Sequence, residues 1–322
     1  MTALSDAVTM TFAGLAYGAP SAIPGYVASG AETVGWSVAW LAAPPPPPAA
    51  FDNFAFLATS SSGADAVLAI RGTYPDPLMR PYWDDAAEDN PLQPMETWPG
   101  GGRIGGGTAT GLAKLVALTD ADGVSLDAAM ARLSKGTRVT VTGHSLGGTL
   151  TPVMALRLAG NLPAIDVAAT SFAGMTPGDA AFASLFSGPN AVPVRRVFNS
   201  LDTVAYGWDK VLDTINFYQP HPQGGPLVQH QLQKMADDLA AGGYDYTAVG
   251  APVPLKGQLQ DKRIPCDLVA YLFEMLHQHM PDTYLGLLGA PPLPFRIGFG
   301  PTVHTLSVLN PLRPPPVYSQ DL

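Results

Sequence analysis

The chain has 322 residues, of which 47% are hydrophobic and 13% charged, with a formal net charge of −9. That length and apolar share suit one large α/β domain or two small ones, and the acidic balance argues against nucleic acid as a partner, because phosphate binding needs clustered Lys and Arg. The lone cysteine, Cys266, excludes an intrachain disulfide and any zinc site built on cysteine pairs.

The low charge leaves a largely neutral surface, compatible with a neutral, apolar substrate and without support for electrostatic attachment to anionic lipid. Cys266 is expected to be a small buried filler near a helix start. The N-terminus MTALSDAVTMTFAGLAYGAP lacks the basic region and long apolar core of a signal peptide. No apolar run reaches transmembrane length. The expectation is a cytoplasmic protein, or a secreted one that is leaderless or processed.

Taken in order, residues 1 to 18 carry helical spacing and Val34 to Leu41 reads as a strand. The run Pro44 to Pro48 is a stiff polyproline connector. Phe51 to Ser60 leads into the next unit, and Ala66 to Ile70 is a buried strand ending in Arg71-Gly72-Thr73. From Tyr74 to Gly107 regular structure fades into prolines, Trp83, Trp98 and the acidic group Asp84, Asp85, Glu88 and Asp89. A loop of that length is functional or mobile, and here it reads as a lid over an apolar pocket, with a static surface loop as the alternative. Thr108 to Leu118 and Ser125 to Leu133 are predicted helices.

The central motif follows. Val139 and Val141 open a strand, Gly143-His144-Ser145-Leu146-Gly147 makes a turn, and Leu150, Val153, Met154, Leu156 and Leu158 supply a helix. Strand, G-x-S-x-G, helix is the context of a nucleophile elbow. Side chains two positions either side of the serine would collide in such a turn, and glycine removes the collision. The turn lifts the Ser145 hydroxyl clear of the sheet and aims a helix N-terminus at it. An upstream strand with a Gly-containing end is where an oxyanion donor belongs, so the N–H groups of Thr73 and Leu146 are the candidate donors. Taken alone, Thr73 also fits an ordinary strand end.

Beyond the elbow, Ile165 to Phe172 and Val192 to Phe198 read as strands, with a turn and short helix over Gly174 to Phe186. Asp202 lies just past the second strand, where ligand-side groups collect in parallel sheets, and is the best orienting acid. Asp166, Asp179, Asp209 and Asp213 compete with it, although Asp166 starts a strand and so lies at the wrong end. Residues 206 to 265 read as a long insertion holding a helix from Leu227 to Ala241. Pro265 to Gln278 is a further helix, and His277 or His279 at its end is the candidate base. The H-x-H spacing also permits a metal, but no Glu, Cys or third His follows at a useful spacing. His144 lies in the elbow, His221 and His230 in the insertion, and His304 in a short downstream apolar strand. The tail, Pro291 to Leu322, is Pro-rich and expected to wrap the surface.

Together these segments resemble the class 3 lipases, the fungal-lipase-like branch of the α/β-hydrolases. The resemblance rests on LAIRGT (Leu68 to Thr73), VTGHSLGG (Val141 to Gly148), SFAGMTPGDAAF (Ser171 to Phe182), RVFNSLDTVA (Arg196 to Ala205) and HMPDTYLGLL (His279 to Leu288), in the family's order. It covers roughly residues 51 to 290, weakly in the insertion. It implies an α/β-hydrolase fold, a central mostly parallel sheet flanked by helices, with a lid-like loop at 74–107 and an insertion at 206–265. It also implies Ser145 as nucleophile, Asp202 as orienting acid, and a histidine shortly before a Tyr-Leu pair as base, which selects His279 over His277. Thr73, after the Arg-Gly pair, then gives an oxyanion donor. Here the segment after Arg71-Gly72-Thr73 is longer and richer in proline than the family's lid. The implied activity is that of a triacylglycerol lipase, ester hydrolysis without a cofactor on a neutral ester or lipid, with transient contact at a lipid–water interface. The rivals are a short-chain carboxylesterase, a phospholipase A1, and a non-catalytic binding protein of the same fold.

Overall fold

A computed structural model describes residues 4–44, 53–73, 88–260, 264–295 and 297. The chain opens with helix α1 (Asp6–Leu15), whose start is fixed by the Ser5 hydroxyl accepting from Val8 N–H at 3.2 Å. After α2 (Ile23–Ser29) come β1 (Trp36–Leu41), β2 (Ala55–Ser60) and β3 (Asp65–Ile70). Short strands β4 (Glu96–Thr97) and β5 (Arg103–Ile104) precede α3 (Gly106–Ala117) and α4 (Leu126–Met130). Then follow β6 (Arg138–His144), α5 (Leu146–Asn161), β7 (Asp166–Phe172), β8 (Gly178–Asp179), α6 (Ala180–Ser184) and β9 (Val194–Asn199). The remainder holds α7 (Gly225–Ala241), β10 (Tyr246–Thr247), β11 (Ala251–Leu255), α8 (Asp267–His279) and α9 (Pro281–Leu287).

Seven strands form the main sheet in the order β1-β2-β3-β6-β7-β9-β11. The pairs β1–β2 and β2–β3 are antiparallel, and every later pair is parallel. Parallel strands are covered on both faces and need continuous apolar runs. Ala66 to Ile70 on β3 are accordingly fully buried, as are Val139 and Val141 on β6. Helix α1 lies against β6, and α5 packs on β6 and β7. With Ile70 paired to Gly143, and His144 to Phe172, the ends of β3 and β7 stand on either side of the elbow. A smaller sheet, β10-β8-β5-β4, braces the chain between β3 and α3.

Several expectations need correction. Residues 55–60 form strand β2 where the sequence was read only as a lead-in. The stretch 206–265 is not wholly an insertion, since it supplies β11, the edge strand of the main sheet. Pro252 and Pro254 hide that strand from a propensity reading, yet an edge strand tolerates residues that cannot donate outward. Cys266 is exposed at the N-cap of α8, where nothing buries it. Of the expected lid, 74–87 lie outside the described residues, and 88–107 carry β4, β5 and the start of α3 instead of an irregular loop. Most of the polyproline connector (residues 45–48), His304 and the tail from 298 also lie outside them. Before that point the chain packs back on α1: Leu293 meets Gly14, and Phe295 meets Gly18. Among the described residues no helix is long and apolar enough to cross a membrane.

Candidate active site

Ser145 sits between β6 and α5 with φ 60° and ψ −127°. A left-handed φ on a residue with a side chain costs about 1–3 kcal/mol and persists only where packing over-determines it. The packing does so here. A Cβ on Gly143 would strike the Gly147 carbonyl and come within 2.9 Å of the Ile70 oxygen. A Cβ on Gly147 would strike the Ile70 carbonyl and lie 2.8 Å from that of Arg71. The two glycines of the motif are thus required by the close approach of β3 to the elbow. The Ser145 N–H is held by the Phe172 carbonyl at 3.0 Å.

His279 reaches the serine from the opposite side because of where α8 stops. Pro281 follows Met280 and disfavours a helical Met280, which is extended at ψ 146°. The helix therefore ends on His279, with its ring over the elbow. His279 Nε2 lies 2.8 Å from Ser145 Oγ. Its Nδ1 lies 3.0 and 3.1 Å from the two carboxyl oxygens of Asp202. A carboxylate only accepts, so the ring proton is on Nδ1 and Nε2 is free to accept from the serine hydroxyl.

Asp202 is fully buried three residues past β9. Its Oδ1 accepts from Val204 N–H at 3.0 Å, and its Oδ2 from the Tyr284 hydroxyl at 2.7 Å. Tyr284, also fully buried, accepts in turn from Asn199 N–H at 2.9 Å. Burial first, then the Asp202 charge, push the Tyr284 phenol well above its ordinary range, so it stays a donor. Asn199 Nδ2 donates to Gln278 Oε1 at 2.6 Å and to the Gln278 carbonyl at 2.9 Å. Gln278 Nε2 donates to Glu274 Oε1 at 2.6 Å. This buried network ties the end of β9 to the last turn of α8, and so sets the spacing between Asp202 and His279.

The competitors fall elsewhere. Asp166 is exposed at the start of β7, and Asp179 caps α6 while paired with Arg103 at 3.0 Å. Asp209 lies near Arg196 and Lys210, its carboxyl pushed up by burial, and Asp213 lies in the first turn of a short helix at Val211–Asn216. His277 is buried, with its carbonyl accepting from Thr283, and His230 is exposed. Among the described residues no three His, Cys, Asp or Glu side chains are grouped to hold a metal ion.

The candidate oxyanion side lies at the end of β3. A Cβ on Gly72 would lie 3.1 Å from the Ser145 Cβ, so Thr73 follows directly on the elbow contact. Leu146 opens α5, where backbone N–H groups have no partner within the helix. The Thr73 hydroxyl donates to Asp89 Oδ2 at 3.0 Å. Asp89 is half-buried, with Oδ1 enclosed and unpartnered. Burial raises its pKa to about 7, against the Thr73 hydrogen bond. Its neighbour Glu88 is anchored by Lys114 at 2.6 Å and Asn53 at 2.8 Å. The acidic group read in the sequence as part of a loop thus places one carboxyl beside Thr73. Of Asn199, Gln278, Asp89 and Tyr284, only Tyr284 had a signal in the sequence, its Tyr-Leu pair five residues past the histidine.

The class 3 lipase family model matches residues 67–206, which hold β3, the elbow and Asp202. Among solved structures the chain is similar to M37 lipase at 21% identity, over 88% of this chain and 98% of that one, with a TM-score of 0.70. It is also similar to the Lip2 lipase of Yarrowia lipolytica at 15% identity, over 85% and 90%, with a TM-score of 0.53. These likenesses show the fold, a mostly parallel sheet flanked by helices as in the α/β-hydrolases. A search of functionally curated proteins gives no match. The family likeness thus rests on residues 67–206, the part of the chain that matches the class 3 lipases.

Proposed function

We propose that this protein is a serine hydrolase that cleaves carboxylic esters, and that its substrates are triacylglycerols. One observation carries the reading: the unbroken hydrogen-bonded line from Asp202 through His279 to a serine on a strained elbow. The class 3 lipase match over residues 67–206 supports lipase-like hydrolysis, and the triacylglycerol assignment extends it.

In this mechanism His279 Nε2 takes the Ser145 proton as Oγ attacks the ester carbonyl carbon. Asp202 accepts from Nδ1–H throughout, which fixes the tautomer and stabilises the imidazolium. The N–H groups of Thr73 and Leu146 receive the oxyanion, aided by the positive end of α5. The tetrahedral intermediate then breaks its bond to the alkoxy oxygen, which leaves as alcohol with the proton from His279. Water repeats the sequence on the acyl-enzyme, releasing the acid and regenerating Ser145. No cofactor takes part. The low charge of the chain, 13%, suits a neutral ester better than an anionic one.

The test is hydrolysis of p-nitrophenyl esters from acetate to palmitate beside an emulsified triacylglycerol. Activity that rises with chain length and on the emulsion supports the lipase assignment. Activity confined to short soluble esters replaces it with a carboxylesterase, and hydrolysis of phospholipid alone with a phospholipase A1. Turnover of no ester ends the proposal.

A further inference from the structure

The residue before the serine is also a histidine, and the mechanism above makes no use of it. His144 is buried, at 1% exposure. Burial, together with the neighbouring His279, holds its pKa well below the ordinary histidine value, so the ring is neutral and carries a single N–H. That N–H can be located from its partners. Nε2 lies 2.7 Å from the backbone carbonyl of His279. A carbonyl only accepts, so the proton is on Nε2 and Nδ1 is left as an acceptor. Nδ1 lies 3.0 Å from the Tyr17 hydroxyl, which therefore donates to it. The other tautomer would set the Nε2 lone pair against the carbonyl oxygen, and would turn the Tyr17 hydroxyl into the acceptor, with its proton on the His144 carbonyl 3.4 Å away.

The contact matters because of what it grips. His279 is the last residue of α8, and its carbonyl is among the final four that find no donor inside the helix. His144 supplies that donor from the elbow itself. The two imidazole rings lie 4.8 Å apart between centroids. A neutral His144 can hold its neighbour at that distance, whereas a cation would oppose imidazolium formation on His279. Tyr17 enters from beyond the C-terminal end of α1, and a Cβ on Gly72 would strike both its hydroxyl and the His144 carbonyl. The hydroxyl thus sits where the oxyanion turn, the elbow and the base converge.

We propose that Tyr17 and His144 are positioning residues for ester hydrolysis: Tyr17 donates to His144 Nδ1 and so supports the tautomer that the His279 carbonyl requires, and the His144 Nε2–H holds that carbonyl so that the imidazole stays seated on Ser145. This rests on Ser145, His279 and Asp202 acting as proposed above. A misplacement of about 1 Å at a reacting group costs up to roughly a hundredfold in rate.

The experiment measures kcat and KM on p-nitrophenyl butyrate, and the rate at which a fluorophosphonate labels Ser145, in the full chain. His144→Leu lowers kcat and the labelling rate together by about 10- to 100-fold, with KM held within about twofold. Tyr17→Phe lowers both by about three- to tenfold. His144→Gln keeps a donor near the Nε2 position and has no tautomer to choose. It recovers most of the loss seen with His144→Leu, and the Tyr17→Phe effect disappears in its background. Tyr17→Phe and His144→Gln keep side-chain size, so this coupling can be read even where His144→Leu fails to fold. The proposal is overturned where Tyr17→Phe costs as much beside His144→Gln as beside His144, or where a folded His144→Leu keeps wild-type kcat. A folded wild-type chain that neither labels nor hydrolyses any ester overturns the hydrolase reading itself, a result distinct from loss of the coupling alone.

Discussion

Replacing Tyr284 with Phe removes one oxygen atom and leaves the ring in place, so the change isolates hydrogen bonding from packing. The hydroxyl donates to Asp202 Oδ2 at 2.7 Å and accepts from Asn199 N–H at 2.9 Å. Both neighbours are fully buried, so water cannot replace it without opening the core. Loss of a hydrogen bond to a charged group costs about 1.5–3 kcal/mol, and an orphaned buried N–H about 1–3 kcal/mol. The two losses share one atom and part of the cost relaxes, so the expected destabilisation is about 3 kcal/mol. At roughly 2–4 °C per kcal/mol for a large domain, the melting midpoint falls by about 6–12 °C. Asp202 keeps the Val204 N–H at 3.0 Å, so the triad survives with a less firmly held acid. The expected fall in kcat is about tenfold, or roughly 1.4 kcal/mol in the barrier. Scanning calorimetry and ester hydrolysis on the same preparation measure both. A variant with the wild-type midpoint and kcat would refute the claim that Tyr284 braces Asp202.

Asp89 predicts a pH dependence. Its folded pKa is raised to about 7 from 3.8. The protonated carboxyl is the favoured one, so its contribution to stability is complete below the unfolded value and is lost as pH rises through about 7. Between pH 5 and pH 8 the wild type should therefore lose about 2 kcal/mol that Asp89→Asn does not lose. Urea denaturation at both pH values measures the difference, and parallel behaviour of the two proteins would contradict the burial of this carboxyl. Gly143→Ala tests the elbow from the side of the fold. Its methyl group meets the carbonyls of Gly147 and Ile70, so the turn must open at a cost on the order of several kcal/mol. Loss of activity with a lowered midpoint is expected, and a stable, fully active variant would show that the elbow tolerates a side chain there.

The sequence was legible where function is written locally. The glycines at 143 and 147 surround Ser145 on one turn, and position after β9 separated Asp202 from Asp166. The residues that steady the site were not legible, because their partners lie far away in the chain. Tyr17 meets His144 across 127 positions, and Asn199 meets Gln278 across 79. No local pattern announces such contacts. The sequence places His144 in the elbow but gives it no role, for the same reason. In the sequence Asp89 is one member of an acidic group in a loop, since only the fold encloses it beside Thr73. Strand β11 was missed because prolines argue against a strand in general but not at a sheet edge, and β2 because its residues 55–60 offer no polar alternation once both faces are covered.

The central claim is that Ser145 is the nucleophile of an ester hydrolase. Its most direct test is fluorophosphonate labelling followed by peptide mapping, with hydrolysis of p-nitrophenyl butyrate measured in wild type and Ser145→Ala. The account predicts labelling on Ser145 alone, and a Ser145→Ala chain that melts as a folded protein yet has lost about 10⁴- to 10⁶-fold in kcat. A label on another residue, or a Ser145→Ala chain with wild-type activity, would contradict it.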